Sequence, residues 1–249
     1  MKTQLHDGCG CFPTGRHYPG IAHLLTTVIR GLAEELGQEQ DWQSALIALV
    51  DTETTGTDAA ADRVIEVGIV LGRAGEVVAR HNWLINPGCP IPEAAKAVHG
   101  IGDEDVKDAP RFEVVALEIA KALEGALPAA YNATFDRLFL VNEFARAGIR
   151  DGVRAVPPAL RREVDWVDPL VWAREIQREE KSKALGEVAA RLGIALENAH
   201  RASDDAEAAL RVLYALAADP RMPRSYGALM QEQRRLGLAQ ADERRRWKS

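Results

Sequence analysis

The chain has 249 residues, enough for one substantial core with extensions, and its 47% hydrophobic and 27% charged residues are those of an ordinary globular protein. No apolar stretch approaches the roughly 20 residues of a membrane span, the N-terminus does not resemble a signal peptide, and three cysteines give no disulfide framework, so the default expectation is a cytoplasmic protein without a membrane partner. The formal net charge of −6 divides unevenly, because residues 221–249 carry eight Arg or Lys against three acids and leave the remainder strongly acidic.

Residues 1–20 contain Gly, Pro and Cys without periodicity and read as loop. Cys9 and Cys11, with His17 and His23 further on, match no familiar zinc spacing and read as ordinary thiols. Ile21, Leu24, Leu25, Val28, Leu32 and Leu36 recur at helical spacing, giving an amphipathic helix expected to pack at home. The apolar run 45–50, closed by Thr-Thr-Gly, is a buried strand. Strands 64–71 and 76–84 form a hairpin across Gly72-Arg-Ala-Gly75. A helix is expected from 112 to about 124, then a short strand at 129–131. The next helix has Phe135, Leu138, Phe139, Val141 and Phe144 on its apolar face, with Asn132 or Thr134 as cap. Pro157-Pro158, with Arg150, Arg154, Arg161 and Arg162, forms a basic insert that either contacts substrate or lies free. A strand at 163–167 and a helix around 170–179 follow. Ser203 caps a last helix whose stripe is Ala206, Ala209, Leu210, Leu213, Leu216 and Ala217. Strands followed by alternating helices make this an α/β domain with a mixed sheet.

Three motifs carry chemistry: Asp51-Thr-Glu53-Thr-Thr-Gly56, Asn132-Ala-Thr-Phe-Asp136 and His200-Arg-Ala-Ser-Asp-Asp205. In a strand, Asp51 and Glu53 project to one face and repel unless a cation lies between them. Oxygen-only ligation favours Mg²⁺ or Mn²⁺ over zinc. Asp136 and the pair Asp204-Asp205 fall in the first turns of helices, where the dipole favours negative charge. His200 lies in a loop, free to swing as a general base. Taken singly, each has a plainer reading: a solvated strand end, a dipole partner, a surface histidine.

Together and in this order they resemble the DnaQ-like, DEDDh family of 3′–5′ exonucleases. The likeness extends to Pro90-Ile-Pro-Glu-Ala-Ala-Lys-Ala-Val98-His99-Gly-Ile101, Val167-Asp168-Pro169-Leu170 and Lys183 to Ile194, and covers about 45–217. The tyrosine branch of the family places Tyr four positions before the last acid, where this chain has Arg201. The histidine branch places His five positions before it, which is His200. The resemblance implies a ribonuclease H-like mixed sheet of five strands flanked by helices, with an extra N-terminal helix (1–44) and a basic C-terminal tail (218–249) outside the exonuclease domain (45–217). It also implies two divalent metal ions, Mg²⁺ or Mn²⁺, held by Asp51, Glu53, Asp136 and Asp205. His200 would deprotonate the attacking water, and Thr54, His99 and Phe135 would line the terminal nucleotide's pocket.

The expected activity is hydrolysis at the 3′ end of single-stranded nucleic acid, DNA favoured, releasing nucleoside 5′-monophosphates. A short-RNA exonuclease and a catalytically silent end-binding module are the alternatives; loss of an acid or of the histidine would mark the latter, and none is lost. A polymerase or clamp is a further partner, since Gln233-Arg-Arg-Leu236-Gly-Leu238 loosely resembles a clamp-binding peptide. The Arg-rich tail either adds nonspecific affinity for nucleic acid or is solvated without a role.

Overall fold

A computed structural model of the chain describes residues 37–149, 156–196 and 200–248. The helix expected over 21–36, Cys9 and Cys11, and Arg150 and Arg154 of the basic insert lie outside them. The central element is β1 (Ile47–Thr54), whose first four residues are fully buried. It continues through both acids, so Asp51 and Glu53 lie within the strand and not beyond its end. β2 (Val64–Arg73) and β3 (Glu76–Leu84) pair antiparallel as expected, joined across Ala74 and Gly75 at φ 51° and 90°. Two positive φ values in a two-residue loop match the right-handed twist of the flanking strands.

The sheet order is β3-β2-β1-β4, with β4 (Leu127–Ala129) parallel to β1. The expected fifth strand is reduced to one parallel bridge, Ala129 to Val167. Two causes are visible. The Val164 N–H is spent on a turn to the Arg161 carbonyl, and Pro128 in β4 has no N–H to offer a neighbour. The sheet is therefore mixed and four-stranded.

Short helices α1 (Glu93–His99) and α2 (Asp103–Val106) follow β3, then α3 (Phe112–Ala122) leads into β4. Helix α4 (Ala133–Arg146) buries Asp136, Phe139, Leu140, Glu143 and Phe144, whereas Leu138 is 45% exposed. Its inward face is rotated from the expected stripe because two carboxylates point inward. Glu143 is buried with Arg63, whose guanidinium grips it through two hydrogen bonds of 2.6 and 2.9 Å. Helix α5 (Pro169–Ile176) is shorter than expected, and α6 (Leu185–Arg191) packs with it on α7 (Ala202–Leu216). Of the stripe expected on α7, all but Ala217 is buried.

Residues directly opposite in an antiparallel pair share a face. Asp51 pairs with Gly68 and Glu53 with Glu66, and all four face α7. A Cβ built on Gly68 would lie 2.2 Å from the Ala202 carbonyl carbon, so the absent side chain is what lets the start of α7 rest on the sheet beneath Asp51. Thr52 faces the other way, toward α4.

The charged segment after residue 218 is folded. Helix α8 (Tyr226–Lys248) packs on α5 and buries Leu229, Met230, Gln233 and Leu236, so the clamp-like peptide is built into the structure with two of its residues inside. The start of α8 is held by Tyr226 N–H to the Gln40 carbonyl, and Trp42 Nε1 donates to the Pro223 carbonyl at 2.9 Å.

Gly68→Ala forces α7 off the sheet and is expected to lower unfolding free energy by about 1–3 kcal/mol, the usual cost of overpacking. A urea midpoint equal to that of the parent would show that α7 does not depend on this approach.

Candidate active site

The site forms at the C-terminal end of β1, where side chains from both faces of the sheet converge. The β1–β2 register slips between Glu53 and Thr54, and such an irregularity re-aims the side chains beside it. Glu53 is only partly buried.

The start of α7 is fixed by Glu66, a fully buried carboxylate on β2. It accepts from Arg201 at 2.7 Å, Ala202 N–H at 3.1 Å and Asn82 at 2.9 Å. Against the cost of burial, these bonds hold its carboxyl below the usual range. Glu66 thus does the work expected of Ser203: Arg201 is the N-cap residue, and no side chain of α7 itself caps it. Arg201, in the position that carries Tyr in the other branch, is part of this clamp. Asp204 and Asp205 fall in the first turn, and Asp205 accepts from the His200 backbone N–H at 3.0 Å. That contact stabilises His200 in the left-handed region, φ 68°, where a non-glycine residue is strained. His200, exposed, has a ring nitrogen within 4.8 Å of carboxylate oxygens of both Glu53 and Asp205.

Asp136 arrives from α4 and accepts from the Thr52 hydroxyl at 2.9 Å. Asn132 begins the helix at φ 74° without capping it through its side chain. The carboxylate of Asp168 does that instead, accepting from Asn132 and Ala133 N–H groups at 3.0 Å each. Asp168 is itself held: its backbone N–H donates to Gln233 Oε1 at 2.8 Å, and Gln233 Nε2 donates to the Trp166 carbonyl at 2.8 Å. Glu66, Asp168 and Gln233 support the candidate site, and no motif assigned that role to any of them. Asp168 stood in a recognised segment, but nothing local signalled what it binds.

The acids crowd. Burial, then Asp136, Asp205 and Glu53, push the Asp51 carboxyl well above its ordinary range. Burial, followed by Asp205, Glu66 and Asp136, raises Glu53 to about 8, and burial raises Asp136 to about 7. Burial also raises Asp205. Asp205 Oδ1 is buried and has no hydrogen-bond partner among the described residues. An orphaned buried oxygen amid mutually repelling carboxylates is the signature of a missing positive charge. This donor set fits a hard divalent cation.

Thr54, His99 and Phe135 come together along one side of a cleft of ≈ 350 Å³ that runs from Thr52–Thr57 to α1. The Thr54 hydroxyl donates to the Gly56 carbonyl at 2.6 Å. His99 Nδ1 accepts from Ile101 N–H at 3.1 Å, which leaves the ring proton on Nε2. Burial lowers the His99 pKa, favouring the neutral ring. The cleft adjoins Glu53 and is mostly apolar, with polar groups at its end, as a base and sugar require.

A family model described as an exonuclease, RNase_T, matches residues 49–213. The chain is 34% identical over 176 residues to a DNA polymerase III PolC-type of Streptococcus pneumoniae, covering 71% of this chain and 11% of that one. A PolC-type polymerase of Lacticaseibacillus paracasei is 32% identical over 186 residues, covering 74% and 12%. The chain thus spans about a tenth of the length of these relatives. Among solved structures, Exonuclease X in complex with 5′ overhanging duplex DNA superposes with TM-score 0.55 at 21% identity, covering 72% of this chain and 95% of that one. The zinc-bound E. coli ExoI–ssDNA complex gives TM-score 0.62 at 21% identity, covering 76% and 43%. The matched segment contains all four motif acids and the histidine, and the chain belongs to the RNase_T exonuclease family, the DnaQ-like 3′–5′ exonucleases that its motifs resemble.

Proposed function

We propose that the chain is a metal-dependent 3′–5′ exonuclease of single-stranded nucleic acid that releases nucleoside 5′-monophosphates. The observation that carries this reading is the convergence of Glu53, His200 and Asp205 within 4.8 Å, beside Asp51 and Asp136. Asp51, Glu53 and Asp205 would hold one divalent cation, and Asp51 with Asp136 a second. Such ions, when bound, offset the carboxylate charge and stabilise the charge that develops on the phosphate and on the leaving 3′-oxygen.

The protein's own groups do the rest. Thr54, His99 and Phe135 hold the terminal nucleotide, with Phe135 offering an aromatic surface for the base. His200 takes the proton of the attacking water as that oxygen bonds to phosphorus, and the bond from phosphorus to the 3′-oxygen of the penultimate nucleotide breaks, that oxygen taking up a proton from solvent to become the new 3′-hydroxyl. Its exposed loop position lets it pass that proton to solvent. DNA is the favoured substrate because relatives 32–34% identical to the chain are DNA polymerases, and a polymerase is the natural partner on the same ground.

The deciding assay compares 5′-labelled and 3′-labelled single-stranded DNA and RNA with Mg²⁺, Mn²⁺ or EDTA. Metal-dependent release of mononucleotides from the 3′ end is expected, faster on DNA; internal cuts, or full activity in EDTA, would refute it. Asp51→Ala is expected to abolish cleavage. His200→Ala should lower kcat by about 10²–10⁴ with metal affinity kept, the usual weight of a general base, and near-parental turnover would remove His200 from that role.

Carboxyls whose pKa rises on folding bind protons on folding. Their stability contribution is present below the ordinary values near 4 and is lost as pH rises through about 7 for Asp136 and about 8 for Glu53. Cations compete with those protons, so the rise in melting temperature caused by millimolar Mg²⁺ should be larger at about pH 8.5 than at about pH 6. An equal rise at both pH values would contradict this account of the site.

A further inference from the structure

Helices α5 and α8 enclose a groove of ≈ 410 Å³ lined by Arg174, Arg178, Lys183, Arg235 and Arg244, against only Glu175 and Glu243. In a chain of formal net charge −6 this is a local reversal of sign. Part of the charge is answered: Arg178 pairs with Glu175 at 2.9 Å and Arg235 with Glu232 at 2.6 Å. Arg174 and Arg244 make no ion pair among the described residues, and although Asp168 partly offsets the Arg174 charge, the like charge of Arg244 acts on it more strongly. Burial, then Arg244, hold the Arg174 guanidinium below its ordinary pKa. Cations that outnumber the carboxylates in a groove focus a potential that attracts polyanions.

The groove also has an address. Tyr131 donates its hydroxyl to the Lys183 carbonyl at 2.5 Å, and Tyr131 immediately precedes Asn132, from which α4 runs to Asp136. The groove's α5 wall is capped by Asp168, the carboxylate that holds the first N–H groups of α4. One loop therefore separates the basic groove from the helix that brings Asp136 to the catalytic acids. A strand whose 3′ nucleotide fills the Thr54–His99–Phe135 cleft carries further phosphates 5′ of the cut, and these need cations that the acidic site does not provide.

We propose that the α5–α8 groove binds the sugar-phosphate backbone of a single-stranded polynucleotide, several nucleotides 5′ of the bond that is cut. The proposal rests on the exonuclease reading above and extends it to a stretch of chain outside the matched family segment, since α8 begins after residue 213. Arg174 and Arg244 contact phosphates directly, and the groove keeps the strand bound while its end is shortened.

The test is fluorescence anisotropy of the full-length protein with a labelled single-stranded oligonucleotide about 16 nucleotides long, within the site sizes of single-strand binders, and with a trinucleotide, across a salt series in EDTA. Without metal no cleavage occurs, so the groove is read even if the protein proves not to be a nuclease. In the double variant Arg174→Gln, Arg244→Gln, affinity for the long strand should fall about five- to tenfold at moderate salt. The salt slope should become shallower by about 0.7 for each phosphate contact removed. Trinucleotide binding should not change. Arg244→Gln alone, at an exposed position, serves if the double variant is misfolded, and should give a partial loss of the same kind. An unchanged slope and affinity for the long strand would overturn the proposal, as would an equal loss for the trinucleotide. So would equal displacement by a poly-glutamate peptide of matched charge, which would make the groove a surface for an acidic protein.

Discussion

Four carboxylates that repel one another are held together at the end of β1, and most of the surrounding architecture exists to make that tolerable. The N-termini of α4 and α7 both lie at the acids, so backbone N–H groups and helix dipoles partly offset the charge before any ion arrives. Burial first, and then the neighbouring acids, raise the carboxyls of Asp51 and Glu53, and burial raises that of Asp136. A site of this kind is less stable empty than filled, and its order depends on rigid supports behind it.

Those supports are themselves ionic or polar, and they sort by whether they are answered within the protein. Glu66 sits on β2, one strand in from the sheet edge, and is saturated by Arg201, Asn82 and a helix N–H, so it stays ionised and structural. Glu143 is likewise saturated by Arg63 and Arg146. Asp205 has one oxygen spent on the His200 N–H and the other unpartnered among the described residues. What separates Glu66 and Glu143 from Asp205, a proposed metal ligand, is therefore hydrogen-bond saturation.

The legible part of the molecule was whatever is written locally. Asp51 and Glu53 share a strand face, Asp136 and Asp205 share a position in the first turn of a helix, and His200 stands five residues before Asp205; each follows from spacing alone. The hairpin was legible in Gly72-Arg-Ala-Gly75 for the same reason. The supports were not, because their partners are distant in sequence: Glu66 meets Arg201 135 residues on, and Gln233 meets Asp168 across 65. Asn132 does hold the N-cap position of α4, but its side chain makes no cap bond, and Ser203 lies inside α7 and not at its cap, because at each helix a carboxylate from elsewhere outcompetes the nearest polar side chain. Leu138 was misplaced because apolar periodicity takes no account of a helix that turns Asp136 and Glu143 inward.

The Gln233 contacts have a bearing on modularity. A stretch ending near residue 213 satisfies the family pattern, yet the amide that fixes Asp168, and through it the start of α4, comes from a helix beyond that limit. The recognisable unit and the unit that stands alone are consequently different lengths of chain. Grafting only the recognisable part into another protein would carry the four motif acids and His200 but leave the Trp166 carbonyl and the Asp168 N–H without their amide. Any host that received it would have to supply an equivalent polar group at that spot.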